Sequence, residues 1–199
     1  MKIKNYIWDF DGTLFDTYPN MMKAMYKALD DLSVKFDKAD LDYFVKEKSM
    51  REVAVKYDKP EISDLYHKYE TEFQQNPQVY PEIPEILRQT SKKGAKHFIL
   101  THRDSAAATF LGNLKDYFTE IISSENDFPR KPNPAAINYL LKKYDLKPSE
   151  TVMIGDRPLD IQAGENAGVQ TILFDEKNYF SNMTNVTKIR KWSDYDFNN

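Results

Sequence analysis

The feature that most constrains this chain is a short apolar segment that runs straight into acidic residues near the N-terminus. Residues 3–8 are mostly apolar and lead into Asp9-Phe10-Asp11-Gly12-Thr13. At the end of a buried strand the chain bends, so both carboxylates can be turned toward one point above the sheet. Two anions this close repel each other unless a cation or polar groups compensate. Gly12 predicts a tight turn whose N–H groups can face an anion. An Asp-Gly turn closing a hairpin is the alternative interpretation.

Later segments place further polar residues at the ends of apolar stretches or, for Lys131, in a loop. Thr101 follows Phe98-Ile99-Leu100, Lys131 stands in Arg130-Lys131-Pro132-Asn133-Pro134, and Asp156 follows Ile154-Gly155 with Asp160 one helical turn later. In open α/β sheets, ligands bind outside the carboxyl ends of the strands. The sequence therefore predicts that these polar side chains meet at one edge of a sheet.

The order of apolar patterns predicts an α/β protein with a doubly wound parallel sheet. Strands are expected over 3–8, 97–101, 120–123, 151–154 and 169–174. Helices are expected after Thr17 and over 38–48, 50–57, 63–75 (Ser63 as N-cap), 83–92 (ending at Gly94), 104–114 (Asp104 as N-cap), from Asn133 as N-cap, and over 158–167. Strands that alternate with helices imply parallel pairing and right-handed crossovers.

The helices before residue 76 form a separate insertion in this interpretation. No strand is predicted over 18–76, and the proline-rich stretch 76–84 is typical of a linker. The expected domains are an α/β core of residues 1–16 and 82–199 and an all-helical insertion of residues 17–81. No firm prediction is made after Asp175, where the pattern is polar and weak.

Composition excludes several classes of function. Among 199 residues, 28 basic and 31 acidic residues give a net charge of −3, which leaves no electrostatic footprint for nucleic acid. The absence of cysteine excludes disulfides, thiolate nucleophiles and cysteine-ligated zinc. Neither a signal sequence nor a run of ~20 apolar residues stands out, so a soluble cytoplasmic protein without membrane partners is expected. The expected assembly, a monomer or a dimer, does not follow from the sequence pattern.

The four motifs in this order resemble those of the haloacid dehalogenase superfamily of phosphohydrolases. The resemblance covers nearly the whole chain and is closest to the phosphoglycolate phosphatase-like branch. It implies a Rossmann-like core with a small helical cap inserted between the first and second motifs. It also implies that Asp9 is the nucleophile that forms an aspartyl-phosphate, with Asp11 as general acid and base.

The same resemblance implies a Mg²⁺ site and a phosphate site. Its metal ligands are Asp9, the backbone carbonyl of Asp11, and Asp156, with Asp160 as a weaker or supporting ligand. Thr101, the amide that follows it, and Lys131 are expected to bind phosphate. His102 is expected either to join them or to bond a loop. His102-Arg103 stands where many relatives have Asn-Lys, a difference expected to affect selectivity and not the core chemistry.

The expected substrate is a small phosphorylated metabolite. By position, Lys48 and Arg51 resemble a substrate-reading cap loop and are expected to bind a carboxylate or second phosphate, although exposed charges beside a helix start are an equally good interpretation. The leading hypothesis is a Mg²⁺-dependent phosphatase acting on a phosphoglycolate-like or sugar phosphate. The alternatives are a phosphomutase of the β-phosphoglucomutase type and a phospho-accepting, receiver-like signalling domain.

Overall fold

The computed structural model describes residues 2–73 and 76–197. It divides into two compact units: Met1–Phe15 with Val79–Asn199, here called the sheet unit, and Asp16–Gln78, here called the helical unit. The sequence predicts that the chain leaves the α/β core after residue 16 and returns to it after residue 81. The chain instead leaves the sheet unit after Phe15 and returns to it at Val79.

The strands form a six-stranded parallel sheet and a separate two-stranded pair. They are β1 Asn5–Trp8, β2 Phe15–Asp16, β3 Gln78–Val79, β4 Lys96–Leu100, β5 Phe118–Ile122, β6 Thr151–Gly155, β7 Gln170–Phe174 and β8 Thr187–Ile189. The large sheet has the order β5-β4-β1-β6-β7-β8, and each neighbouring pair is parallel. Strands β2 and β3 pair with each other where the chain leaves and re-enters the sheet unit. The predicted parallel α/β architecture is confirmed.

The centre of the sheet is buried on both faces. Strand β1 pairs with β4 on one side and β6 on the other, with Asn5 opposite Lys96 and Thr151. Successive β1 side chains enter different cores: Trp8 packs in one apolar cluster with Ile99 and Ile154, and Ile7 packs in another. Parallel strands covered on both faces have continuous apolar sequences, which is why these strands were visible in the sequence.

The described residues of the helical unit form four helices with their own apolar core. They are α1 Tyr18–Asp31, α2 Lys38–Glu47, α3 Met50–Lys56 and α4 Glu61–Phe73. Its core includes Met25 and Leu29 from α1, Leu41 from α2, and Ile62 from α4. Helix α4 begins at Glu61, so the prediction of Ser63 as N-cap is wrong; the amide of Ser63 donates to the carbonyl of Pro60 (3.1 Å) in the first turn. Residues 74 and 75 of the predicted helix 63–75 lie outside the described residues.

The helices of the sheet unit are α5 Ile83–Lys92, α6 Ala135–Lys143 and α7 Pro158–Asn166. Gly94, at φ +83°, follows α5 as predicted. Helix α6 begins at Ala135 with Pro134 as its N-cap residue, so the prediction of Asn133 as N-cap is wrong by one position, although Asn133 Oδ1 accepts from the amide of Ala135 (2.9 Å).

One segment differs in kind from the sequence prediction, and another lies where no firm prediction was possible. Residues Ser105–Tyr117 form 3-10 turns interrupted at Gly112 (φ +50°) and not an α-helix, because the glycine's left-handed conformation breaks the helical backbone. Asp104 nevertheless caps the first turn by accepting from Ala106 N. Beyond Asp175, β8 extends the sheet and a 3-10 turn at Trp192–Asp194 buries Trp192 in the core.

Candidate active site

Three polar residues follow three adjacent strands at the carboxyl edge of the large sheet. Asp9 follows β1, Thr101 follows β4, and Asp156 follows β6, and all three are buried. The parallel register places these strand ends side by side, since the amide of Asp9 donates to the carbonyl of Ile154 at 2.8 Å. Lys131 and Asp160, from the segments between strands, are buried as well.

Lys131 connects two of these carboxylates. Its Nζ lies 2.6 Å from Asp9 Oδ1 and 2.6 Å from Asp160 Oδ1, and it donates to the carbonyl of Leu100 at 3.0 Å. The Lys131 side chain is only 3% exposed. A buried ammonium so placed holds the Asp9 carboxylate in one orientation, because any rotation of that carboxylate breaks a short charge-assisted hydrogen bond.

The buried charges perturb one another. Burial raises the pKa of the Asp9 carboxyl; Lys131 opposes that rise, and Asp160 and Asp156 add to it. Burial likewise raises the pKa of Asp160, with Lys131 acting against it. Burial alone would lower the pKa of Lys131, but Asp160 and Asp9 outweigh burial and raise that pKa, so Lys131 stays a cation at neutral pH. Buried groups with strongly perturbed pKa values in one cluster are typical of functional sites.

The acidic cluster fits a divalent cation. Asp9, Asp156 and Asp160 each offer an oxygen, and these oxygens lie within 4.8 Å of one another. One lysine ammonium contacts two of the three buried acidic side chains, so their full ionisation would leave an excess of negative charge that a divalent cation can balance. A set of carboxylate oxygens is the ligand type that hard cations such as Mg²⁺ prefer.

Gly155 lets Asp160 enter this cluster. A Cβ at Gly155 would lie 2.3 Å from the Cβ of Asp160, closer than two carbon atoms can approach. Asp160 Oδ2 also accepts from the amide of Arg157 at 3.1 Å, which fixes the first turn of α7 against the end of β6. Thr13 Oγ1 donates to Asp156 Oδ1 at 3.4 Å, so the turn after β1 supports the Asp156 carboxylate.

Asp11 has a different cationic partner from Asp9. Arg103 Nε donates to both oxygens of the Asp11 carboxylate, each at 2.8 Å. The two side chains are 19% and 21% exposed, so this pair borders solvent whereas the Asp9–Lys131 pair does not. The sequence predicts that Arg103 leaves the core chemistry untouched; the structure instead places it against Asp11, the second carboxylate of the first motif.

Thr101 and His102 organise the loop after β4. Thr101 Oγ1 accepts from the amide of Arg103 at 3.1 Å. His102 Nε2 accepts from the amide of Lys131 at 3.0 Å, which requires that this nitrogen carry no proton. Of the two interpretations of His102, the structure shows the loop hydrogen bond, and this bond positions the residue that holds Asp9.

The two remaining predicted site residues belong to the helical unit. Lys48 follows α2, and its Nζ lies 3.8 Å from Glu47 Oε2, while Arg51 is exposed in the first turn of α3. Ser49 between them caps α3 by accepting from the amide of Glu52 at 3.3 Å. Both cations therefore flank a helix start, and their role in binding substrate stays a prediction.

Comparison with known proteins identifies the family. The family described as haloacid dehalogenase-like hydrolase matches residues 6–174. The chain is 27% identical over 188 residues to the phosphoglycolate phosphatase of Vibrio vulnificus, covering 84% of this chain and 81% of that protein. It is 28% identical over 180 residues to the putative pyrophosphatase PpaX of Clostridium perfringens, covering 85% and 82%.

Solved structures agree with this relationship. A hydrolase from Streptococcus pneumoniae is 32% identical with a TM-score of 0.66, covering 87% of this chain and 94% of that one. A putative phosphoglycolate phosphatase from Lactobacillus plantarum shares the fold, with a TM-score of 0.79 at 18% identity and 98% coverage of both chains. Among the described residues, none of the helices has the length and apolar character to cross a membrane.

The chain belongs to the haloacid dehalogenase-like hydrolase family. Within this family it is a phosphatase, similar to the phosphoglycolate phosphatases and to the PpaX pyrophosphatase.

Proposed function

We propose that the protein is a Mg²⁺-dependent phosphatase that hydrolyses a small phosphomonoester through a covalent phosphoryl group on Asp9. The observation that carries this proposal is the buried contact between Asp9 and Lys131 beside Asp156 and Asp160 at the carboxyl edge of the sheet. Phosphate monoesters hydrolyse very slowly without a catalyst, so an enzyme must supply both positioning and charge stabilisation.

In the first step a carboxylate oxygen of Asp9 forms a bond to phosphorus while the bond from phosphorus to the ester oxygen breaks. Asp11 gives its proton to the departing oxygen. In the second step a water molecule gives a proton to Asp11 while its oxygen forms a bond to phosphorus, and the bond from Asp9 to phosphorus breaks. Both carboxyl groups are then in their starting states.

The remaining residues position these groups and offset charge. Lys131 fixes the Asp9 carboxylate, and we propose that it also contacts an anionic phosphoryl oxygen. The hydroxyl of Thr101 and the amide after it supply donors for phosphoryl oxygens. Bound by Asp9, Asp156 and the Asp11 carbonyl, with Asp160 in support, Mg²⁺ would neutralise negative charge on the transferring group.

For the substrate we propose a phosphomonoester with a second anionic group. The relatives include a phosphoglycolate phosphatase and a pyrophosphatase, whose named substrates both carry such a group. Lys48 and Arg51 are the cations of the helical unit that we propose bind it, since guanidinium and ammonium groups are the usual partners of carboxylates and phosphates.

The test is phosphate release from a panel of small esters (2-phosphoglycolate, glycerol phosphate, glucose 6-phosphate) and from inorganic pyrophosphate, with Mg²⁺ or with EDTA. Wild type should release phosphate only with the metal. Asp9→Asn should lose essentially all turnover and remain folded, and Asp116→Asn, which removes an exposed carboxylate of the sheet unit, should match wild type. Substantial turnover by Asp9→Asn would refute the covalent mechanism. Isomerisation of a sugar phosphate with a bisphosphate activator and without phosphate release would identify a mutase instead.

A further inference from the structure

The Asp11–Arg103 pair is the part of the site whose purpose the family chemistry leaves open. One N–H group, Nε of Arg103, lies 2.8 Å from both Asp11 oxygens. A carboxylate that shares one donor between its two oxygens faces that donor symmetrically. Rotation about its side-chain bonds would move both oxygens away from Nε, so the contact sets the direction of the carboxylate.

Arg103 is itself held in place by its backbone. Its amide donates to Thr101 Oγ1 at 3.1 Å, and its carbonyl accepts from the amide of Ser124 at 2.8 Å. The guanidinium carbon lies 6.0 Å from the centre of the Phe10 ring, which is stacked on Phe15 at 4.5 Å. The backbone of Arg103 is therefore fixed in the turn after β4, and its guanidinium lies near the Phe10 ring where it contacts Asp11.

The two carboxylates of the first motif thus have separate cations. Asp9 is held by Lys131, whose side chain is buried, and Asp11 by Arg103, whose side chain is partly exposed. Two like acids perform different tasks when their surroundings differ. The buried pair suits a nucleophile that must not move. The pair near solvent suits a group that exchanges protons with a leaving oxygen and with water.

We propose that Arg103 is the positioning residue for Asp11, and that it directs the Asp11 carboxyl toward the oxygen to which Asp11 transfers its proton. This inference rests on the proposed function, since it takes Asp11 to be the general acid and base. Arg103 acts through Asp11. Removal of Arg103 should therefore slow most the reaction steps that depend most on proton transfer.

The experiment compares leaving groups. The p-nitrophenolate ion leaves p-nitrophenyl phosphate with little need of a proton, whereas an alkoxide must be protonated as it departs. The alkyl probe is whichever of 2-phosphoglycolate, glycerol phosphate and glucose 6-phosphate the wild type hydrolyses fastest. For each variant kcat/KM is measured on both esters, because this constant reports the steps up to cleavage of the ester bond.

Arg103→Met keeps the length of the side chain without its charge, and Arg103→Lys keeps a cation. General acid catalysis contributes about 10²–10⁴-fold. We expect Arg103→Met to lower kcat/KM for the alkyl ester at least ~10-fold more than for p-nitrophenyl phosphate, in the direction set by Asp11→Asn. Arg103→Lys should recover part of that difference. Arg88→Met removes an exposed arginine–carboxylate pair on α5 and should change neither constant.

A second readout uses the hydrolysis step. Since Asp11 also takes the proton from water, Arg103→Met should release a burst of p-nitrophenol equal to the enzyme concentration before slower turnover. Melting curves of each variant establish that it is folded, and Arg103→Gln serves as a second neutral replacement if Arg103→Met does not fold.

Equal losses on both esters, with no burst, would overturn the inference and assign Arg103 to phosphate binding or to the fold. An Asp11→Asn variant that shows no dependence on the leaving group would overturn the acid role of Asp11, and the inference with it. A wild type that cleaves neither ester would contradict the proposed function itself.

Discussion

Removal of the Lys131 ammonium should destabilise the protein more than any surface change. Its Nζ lies 2.6 Å from one oxygen of Asp9 and 2.6 Å from one oxygen of Asp160, in surroundings where these three side chains are at most 10% exposed. Loss of one partner from a buried ion pair costs about 3–5 kcal/mol, because the remaining charge keeps its desolvation penalty. For a chain of this length that loss lowers Tm by roughly 6–20 °C.

The assay is thermal and urea unfolding of Lys131→Met in EDTA, at pH 8 and at pH 5. Without the ammonium, the pKa values of Asp9 and Asp160 rise further above those of the unfolded chain. At pH values between the unfolded pKa and the raised folded pKa, the folded variant holds protons that the unfolded chain has released. Its stability therefore falls as the pH rises from 5 to 8, and its deficit relative to wild type is larger at pH 8. The matched control is Lys4→Met, which breaks an exposed pair with Glu150 (2.9 Å) and should change stability little.

A Tm loss for Lys131→Met no larger than that of Lys4→Met would refute the reasoning. So would a deficit that is the same at both pH values, because a packing defect has no such dependence. A loss of activity does not test this stability prediction, because Lys131 is also expected to contact the phosphoryl group.

Two further predictions concern other parts of the molecule. His97 is buried, its Nδ1 accepts from Trp8 Nε1 at 3.1 Å, and burial lowers its pKa to about 4. Below about pH 6.5 the unfolded chain binds a proton at this histidine, whereas the folded chain does not. In urea unfolding, wild type should therefore lose about 2 kcal/mol more stability than His97→Gln between pH 7.5 and pH 5. Equal losses in the two proteins would contradict this prediction. Arg51→Ala should lower kcat/KM for 2-phosphoglycolate far more than for p-nitrophenyl phosphate, and equal losses would remove Arg51 from substrate selection.

The residues at the carboxyl edge of the sheet were predictable because the sequence shows where each buried strand ends. A buried parallel strand is a continuous apolar run, and the polar residue that ends it stands at the carboxyl edge. Asp9, Thr101 and Asp156 are located by this rule alone, and the parallel register then brings them together. The metal ligands and the roles of the carboxylates came from the family resemblance and stay proposals.

The Arg103–Asp11 contact was not predictable from sequence. Ninety-two positions separate the two residues, and the direction of an arginine side chain depends on its backbone turn and its neighbours. The sequence shows that Arg103 stands two residues after Thr101, but it does not show that Asp11 is its partner. The pairing of Arg103 with Asp11 therefore required the structure.

The C-terminal part of the sheet unit was missed for a different reason. Strand β8 has three residues and its apolar pattern is short, so it gave no period to detect. Trp192, which stacks on Phe174 with ring centres 4.4 Å apart, is an isolated aromatic in a polar stretch. Its burial depends on contacts distant in sequence, which local patterns do not encode.

Capture of the phosphoryl group on the enzyme is the most direct test of the covalent mechanism. Wild type is mixed with p-nitrophenyl phosphate and Mg²⁺, quenched in acid within the first turnovers, and reduced with borohydride, which converts an aspartyl-phosphate to homoserine. If Asp9 carries the phosphoryl group, peptide mass spectrometry finds homoserine at position 9 in wild type and none in Asp9→Asn. Release of phosphate with no modified residue at any quench time, or modification of another carboxylate such as Asp156, would contradict it.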